Sequence, residues 1–268
     1  MNEPNKREYW DERANLGYKY KGETFYTITP IPYYYKRRKL LLQLLTKYLS
    51  VNKQQLVCDY GCGDGWYLGF FENNYPKNKY YGIDMSESML ISAKKRCKIV
   101  SFDVSEYGIN FQESFDLVYS IAVFAHILDD KQVISLFKNI YEKIDDNGKF
   151  IFFEQTGETR TQGDKWTRRT QKEYMNLALK AGFNFELKTH IRFDFHVFFE
   201  KVIAKLYYQV VCKRNSLHSR EILANNSQLF RALSALFVMI SIRPIKRDDN
   251  KKSGNTLFVF NKNIKRFV

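Results

Sequence analysis

The chain has 268 residues, and its 43 Lys+Arg against 29 Asp+Glu give a formal net charge of +14. An apolar fraction of 44%, with 22 Phe and 19 Tyr, excludes a disordered chain and suffices for one large α/β domain or two small ones. No uncharged run approaches the ~20 apolar residues of a spanning helix, so no membrane crossing is predicted.

The charge is unevenly spread. Residues 1–53 carry +6, residues 54–154 carry −5, residues 155–200 carry +2 and residues 201–268 carry +11. A nucleic-acid-coating protein would not have an acidic middle, so nucleic acid is disfavoured as a partner. Cys58, Cys62, Cys97 and Cys212 show no paired spacing and no secretory signal precedes them. The expectation is reduced thiols in a cytoplasmic protein.

Residues 1–29 are polar and aromatic without strict period, and Pro30 and Pro32 interrupt any helix there. Leu40, Leu41, Leu44, Leu45 and Tyr48 recur at helical spacing and predict a helix over 34–49. The apolar run 56–58 reads as a buried strand, broken at once by Gly61, Gly63 and Gly65, with a helix over 66–73 behind the turn. The alternation then repeats: strand 79–83, helix 86–95 capped by Ser86, strands 98–102 and 115–120, and helix 131–144. Residues 145–148 (Asp-Asp-Asn-Gly) read as a turn before strand 149–154, and helix 170–181 stops at Gly182 before strand 183–193. The last strand is 256–261. Strands alternating with helices call for an α/β fold, a doubly wound, mostly parallel sheet covered on both faces. Residues 194–255 break this rhythm, with helix-like apolar stretches at 195–212 and 229–242 among basic residues. The expected organisation is an N-terminal covering segment (1–53), a core (54–193 plus 256–268) and a helical insert (194–255).

The chemistry concentrates where Asp59-Tyr60-Gly61-Cys62-Gly63-Asp64-Gly65 leaves a strand and enters a helix. Glycines let a backbone turn sharply and approach a ligand, and the following helix start offers free amide donors. Nineteen residues after Gly65 the next strand ends at Asp84, where a carboxylate can accept both hydroxyls of a ribose. A dinucleotide fingerprint needs its third glycine one residue later, where Trp66 stands. A phosphate-cradling loop needs Gly-Lys-Ser/Thr, which is absent.

The same run resembles the first motif of the class I S-adenosylmethionine-dependent methyltransferases. Tyr81-Gly82-Ile83-Asp84-Met85-Ser86 is similar to the second, Phe102-Asp103-Val104 to the third, and Phe115-Asp116-Leu117-Val118-Tyr119-Ser120 to the fourth-strand motif. Asn147-Gly148-Lys149 and Leu179-Lys180-Ala181-Gly182-Phe183 fit as well, so the resemblance covers roughly 54–193 and 256–263. It implies a Rossmann-like, seven-stranded sheet and S-adenosyl-L-methionine as cofactor. Gly61, Gly63 and Gly65 would lie under the methionine part, with Asp59 holding its ammonium. Asp84 would bind the ribose, Met85 would pack on the adenine, Asp103 would accept the adenine amino group beside the Val104 amide, and Ser120 would lie by the methionine moiety. Residues 31–38 resemble a segment of ubiquinone-biosynthesis O-methyltransferases that brings an arginine to the methionine carboxylate, which nominates Arg38 or Arg37; a solvated basic helix start is the other reading. Tyr9-Trp10-Asp11-Glu12-Arg13-Ala14 resembles that group's first helix, its aromatics open to packing or to a lid role.

Methyl transfer needs alignment, and a hydroxyl acceptor also needs a base. His126, just beyond the fourth strand, stands where related small-molecule methyltransferases often have a histidine facing the donor methyl; the alternative is a structural histidine. Glu154 is the second catalytic candidate, or else a partner for a helix terminus. Ser120-Ile121-Ala122-Val123 lacks the Asn/Asp-Pro-Pro-aromatic motif of enzymes that methylate exocyclic amines, which disfavours that chemistry. No metal site is predicted. The expected activity is O-methylation of a small molecule, a saccharide or a lipid-linked precursor. RNA methylation, or a non-catalytic protein of the membrane surface, are the alternatives. The insert, over 195–247, suits a peripheral membrane surface, a lid or a homodimer interface.

Overall fold

The computed structural model describes residues 6–19, 31–191, 202 and 252–262. The apolar stretches expected at 195–212 and 229–242, with Cys212, His196 and His218, lie outside these residues, Val202 excepted.

The described chain runs α1 (Lys6–Lys19), α2 (Ile31–Leu45), β1 (Leu56–Tyr60), α3 (Trp66–Asn74), β2 (Lys79–Asp84), α4 (Glu87–Arg96), β3 (Ser101–Val104) and β4 (Phe115–Ile121). It continues α5 (Asp130–Lys143), β5 (Ile144–Thr156), a short β6–β7 hairpin (Thr161–Gln162, Thr167–Arg168), α6 (Gln171–Lys180), β8 (Phe183–Ile191) and β9 (Gly254–Lys262). One seven-stranded sheet has the order β3-β2-β1-β4-β5-β9-β8. Its first five strands pair in parallel, and β9 runs antiparallel to both neighbours. The expected α/β architecture is therefore the observed one.

Both faces of the sheet are covered, which explains the unbroken apolar runs. Along β5, Phe150 and Phe152 join Val133, Phe137 and Ile140 of α5 and Tyr174 of α6 on one side. Their neighbours Ile151 and Phe153 face the opposite way, toward Leu41 and Leu45 of α2, Leu68 and Phe71 of α3 and Leu90 of α4. Phe258 and Phe260 of β9 repeat that alternation against Leu257 and Val259.

The first helix expected by resemblance over 9–14 is present and spans Lys6–Lys19. Residues 145–148 make the expected turn inside the span of β5: Ile144 pairs with Phe115, the register then jumps to Leu117↔Lys149, and a Cβ on Gly148 would stand 3.0 Å from the Asp145 carbonyl oxygen. Two local readings are corrected. Pro32 sits in the first turn of α2, where its missing N–H costs no helical bond, so that helix begins at Ile31. The third strand lies at Ser101–Val104, displaced from 98–102.

Thr170 caps α6 in a capping box: its hydroxyl accepts from the Glu173 amide at 3.2 Å, and the Glu173 carboxylate accepts from the Thr170 amide at 2.7 Å. Thr170→Ala is expected to lower stability by about 1 kcal/mol. A urea midpoint identical to the parent's would show that the cap contributes nothing.

Candidate active site

In an open α/β sheet ligands bind outside the carboxyl ends of the strands, where the strand order reverses. Here that point lies between β1 and β4. A cleft with an empty volume of about 1350 Å³, its open mouth included, is found there. Residues 59–64 form its floor. Asp84 and Met85 of the β2 end, residues 105–107 after β3, and residues 121–123 with His126 after β4 form its walls. Arg37 and Arg38 of α2, and Lys6 and Trp10 of α1, complete it.

The floor turns through Gly61, Gly63 and Gly65, all at positive φ. Gly63, at +54°, would meet no atom within 4 Å if it carried a Cβ, so its backbone lies open to whatever occupies the cleft. The loop is tied down from behind: the Arg96 guanidinium donates to the Asp64 carboxylate at 2.9 Å and to its carbonyl at 3.0 Å. Gly65 ends the turn as the N-cap of α3 and lies against Ala93 and Cys97 of α4.

Of the described residues, four with carboxylates line the cleft, Asp64 and Glu106 besides Asp59 and Asp84. Asp59 is 1% exposed, and burial pushes its carboxyl well up, with hydrogen bonding from Tyr119 opposing and the charges of Asp84 and Asp64 adding. Asp84 accepts the Gly63 amide at 2.8 Å and the Ser86 amide at 2.9 Å. Burial moves its carboxyl up to about 6; those amides oppose the shift and the nearby Asp11 carboxylate adds to it. Asp59 and Asp84 offer further lone pairs to a ligand's hydroxyl or ammonium groups.

Helix α1 is fastened over one side. The Arg7 guanidinium donates to the Met85 carbonyl at 3.0 Å, and Asp11 accepts from the Ser86 hydroxyl and, at 3.2 Å, from the Ser88 amide. This brings the Trp10 ring edge-on to His126, with centroids 4.9 Å apart. On the opposite wall Arg38 lies over the Trp66 ring at 4.9 Å and Arg37 over Phe153 at 5.8 Å.

After β4 the chain passes through Ala122, a non-glycine residue at φ +59°, into a single 3₁₀ turn, Phe124–His126. His126 Nδ1 lies 3.0 Å from the Lys165 carbonyl in the β6–β7 loop. A carbonyl only accepts, so Nδ1 carries a proton, and in the neutral imidazole Nε2 is then the nitrogen able to accept one.

Among the expected site residues, Asp59, Gly61, Gly63, Asp84, Met85, Arg38 and His126 thus share one cleft. The others are not among the residues that line it. Asp103 accepts from Asn110 Nδ2 at 2.8 Å, Val104 pairs with Asp84, and the Ser120 hydroxyl donates to the Tyr60 carbonyl at 2.8 Å. Glu154 is 1% exposed and accepts the Phe124 amide at 2.6 Å, which places it beneath the His126 turn and not in the cleft. Sequence reasoning missed residues 105–107 as cleft wall, and it missed Arg169, a fully buried cation beneath the same turn. Among the described residues no group of three or more His, Cys, Asp and Glu could hold a metal, and no helix is long and apolar enough to cross a membrane.

A glycine turn, an acid at the next strand end and a cleft at the switch point are the parts expected of a nucleoside-cofactor site of the doubly wound class. Comparison with known proteins points the same way. Residues 57–148 match the methyltransferase domain family. A carboxy-S-adenosyl-L-methionine synthase of Campylobacter jejuni subsp. jejuni is 30% identical over 128 residues, which are 47% of this chain and 54% of that protein. The match thus spans about half the length of that relative. A malonyl-[acyl-carrier protein] O-methyltransferase of Bacillus anthracis is 28% identical over 219 residues, 74% of this chain and 78% of the relative. Among solved structures, the O-methyltransferase of a trans-AT PKS multienzyme from Brevibacillus brevis, in complex with S-adenosyl-L-homocysteine, shares the fold. Its TM-score is 0.56 at 16% identity, over 83% of this chain and 71% of that one. Residues 57–148 thus carry a methyltransferase domain, and the chain is similar in sequence and fold to class I S-adenosylmethionine-dependent methyltransferases.

Proposed function

We propose that the chain transfers the methyl group of S-adenosyl-L-methionine to an oxygen of a small-molecule acceptor, with His126 as the base that takes the hydroxyl proton. The observation that carries this reading is the His126 imidazole on the cleft wall, its Nδ1 on the Lys165 carbonyl. In the neutral imidazole that bond puts the proton on Nδ1, makes Nε2 the basic nitrogen and fixes the ring plane.

The residues present fit the cofactor. The bare backbone of Gly63 and the acids Asp59 and Asp84 suit, in turn, a close-lying chain, an ammonium and a ribose. Asp103, Val104 and Ser120 belong to the same proposal as adenine-side and methionine-side residues, Asp103 by exchanging its Asn110 partner. Arg38 and Arg37 supply guanidinium groups suited to the methionine carboxylate. When bound, S-adenosyl-L-methionine supplies an electrophilic methyl group on sulfur. The protein orients the acceptor, excludes water with α1 and holds the proton at Nε2. One relative, named as a malonyl-[acyl-carrier protein] O-methyltransferase, supports an oxygen acceptor. The insert at 194–255 is assigned the selection among small-molecule, saccharide and lipid-linked acceptors, and its basic charge the attraction to an anionic membrane surface.

Calorimetry should show S-adenosyl-L-methionine and S-adenosyl-L-homocysteine binding, and loss of both would end the proposal. With methyl-labelled cofactor and a panel of catechols, hexose glycosides and malonyl-pantetheine, label should enter a hydroxyl. His126→Ala should cut that transfer by roughly 100-fold or more. Label entering only the malonyl carboxylate, with His126→Ala fully active, would assign a carboxylate acceptor and remove the base.

A further inference from the structure

We propose that Glu154 and Arg169 are positioning residues that grip the His126 turn from opposite ends and hold the imidazole in its Nδ1-protonated form. Glu154 takes the amide end. Its Oε1 accepts the Phe124 N–H at 2.6 Å, and the Val123 and Ala125 amides also point to this carboxylate. Arg169 takes the carbonyl end. Its Nη1 donates to the Phe124 carbonyl at 2.9 Å, and its Nη2 donates to the Ile127 carbonyl at 2.8 Å and the Leu128 carbonyl at 3.3 Å. The Nε of the same side chain donates to Asp130 Oδ1 at 2.8 Å, while Arg160 holds the other oxygen of Asp130 at 2.7 Å.

A three-residue 3₁₀ helix has little hydrogen bonding of its own and cannot fix a side chain unaided. Glu154 and Arg169 are 1% and 0% exposed. Burying a carboxylate and a guanidinium costs several kcal/mol each unless the partners are well placed, and packed apolar residues would hold a loop with less expense. What the two charges supply is direction: a planar fork and a carboxylate bond only to groups at set angles. Arg169 acts on His126's partner as well. The Gly157 amide donates to the Arg169 carbonyl at 3.0 Å, locking the strand that closes the Lys165 loop. One residue therefore references both the imidazole and the carbonyl that sets its tautomer.

The inference rests on the reading of His126 as the base, but its test observes the imidazole and needs no acceptor, so the two fail separately. The protein is labelled with ¹⁵N-histidine, and long-range ¹H–¹⁵N spectra are recorded above neutral pH. The chain's 4 histidines are separated by assigning His126 with His126→Asn. The parent is expected to show the Nδ1–H form. Arg169→Lys keeps the charge but loses the fork, and Glu154→Gln keeps an acceptor but loses the charge. In each, with a cooperative melting transition retained, the His126 signals should move toward the Nε2–H form common in free histidine. A folded variant of either kind with the parent's tautomer would overturn the proposal, as would an Nε2–H parent. If neither folds, Asp130→Asn, which loosens Arg169 from the rim, carries the same decision: mixed tautomers support the grip, and an unchanged spectrum overturns it.

Discussion

Replacing Asp84 by alanine is expected to weaken S-adenosyl-L-methionine binding by at least ~100-fold in calorimetry. Two charge-assisted hydrogen bonds to ribose hydroxyls contribute about 1.5–3 kcal/mol each, enough for that loss. The alanine also releases the Gly63 and Ser86 amides, so the floor of the cleft loses its brace to β2. The same carboxyl makes binding depend on pH. Its ordinary value is raised by burial to about 6, and only the ionised form accepts from two hydroxyls while still holding both amides. Affinity should therefore be full above about pH 6.5 and fall toward 10-fold per unit below about 6. The stability of the free protein moves the other way. A carboxyl raised in the folded state favours folding when protonated, so this contribution is present at low pH and lost as pH rises through about 6. The thermal shift produced by cofactor should accordingly shrink between pH 7 and 5. Asp84→Asn should bind weakly with a flat pH profile. Undiminished affinity in the alanine variant would take the ribose away from Asp84.

The β1–glycine turn–β2 unit was legible because everything that builds it is local. An apolar run has to be buried, three glycines at alternate positions have to turn, and an acid at the next strand end has to face them. His126 was legible for a similar reason, standing a few residues beyond a recognisable strand. Helix α1 was legible only through the resemblance of residues 9–14, and its anchorage was not legible at all: Arg7 and Asp11 fasten it to groups 75 to 78 residues away, at Met85, Ser86 and Ser88, with no apolar stripe to announce the contact. Arg169 was equally silent in a polar stretch, since its partners at Phe124, Ile127 and Leu128 lie 41 to 45 residues earlier. The Asn147-Gly148 pair was legible, because its turn chemistry makes the excursion at 145–148; the pairing of Ile144 with Phe115 ahead of that turn was not. For Glu154 the strand end was read correctly and two roles were left open, a catalytic group or a helix-terminus partner; the bond from the Phe124 amide fits the second, and period-2 alternation gives a face of the sheet and not a partner.

Gly61→Ala is expected to cost about 2–4 kcal/mol of stability, through two separable effects. Gly61 has φ +78°, and an L-residue there costs roughly 1–2 kcal/mol. Its added Cβ would also stand 2.2 Å from Val123 Cγ2, closer than any contact a folded protein keeps. Gly61 cannot retreat, because its amide and that of Cys62 both donate to the Ile83 carbonyl, at 2.7 and 2.9 Å. Val123 is therefore the side that yields, and it adjoins the turn that presents His126. A melting temperature lower by roughly 5 °C or more should result. Val123→Ala by itself removes apolar contacts and should cost about 1–2 kcal/mol. In the double variant the steric part disappears and the backbone strain stays, so the combined loss should fall short of the sum by about 1 kcal/mol or more. Strictly additive losses would mean that the glycine turn and the His126 turn are not in contact in solution. A deficit of that size would instead make this one contact the mechanical link between the cofactor floor and the base above it.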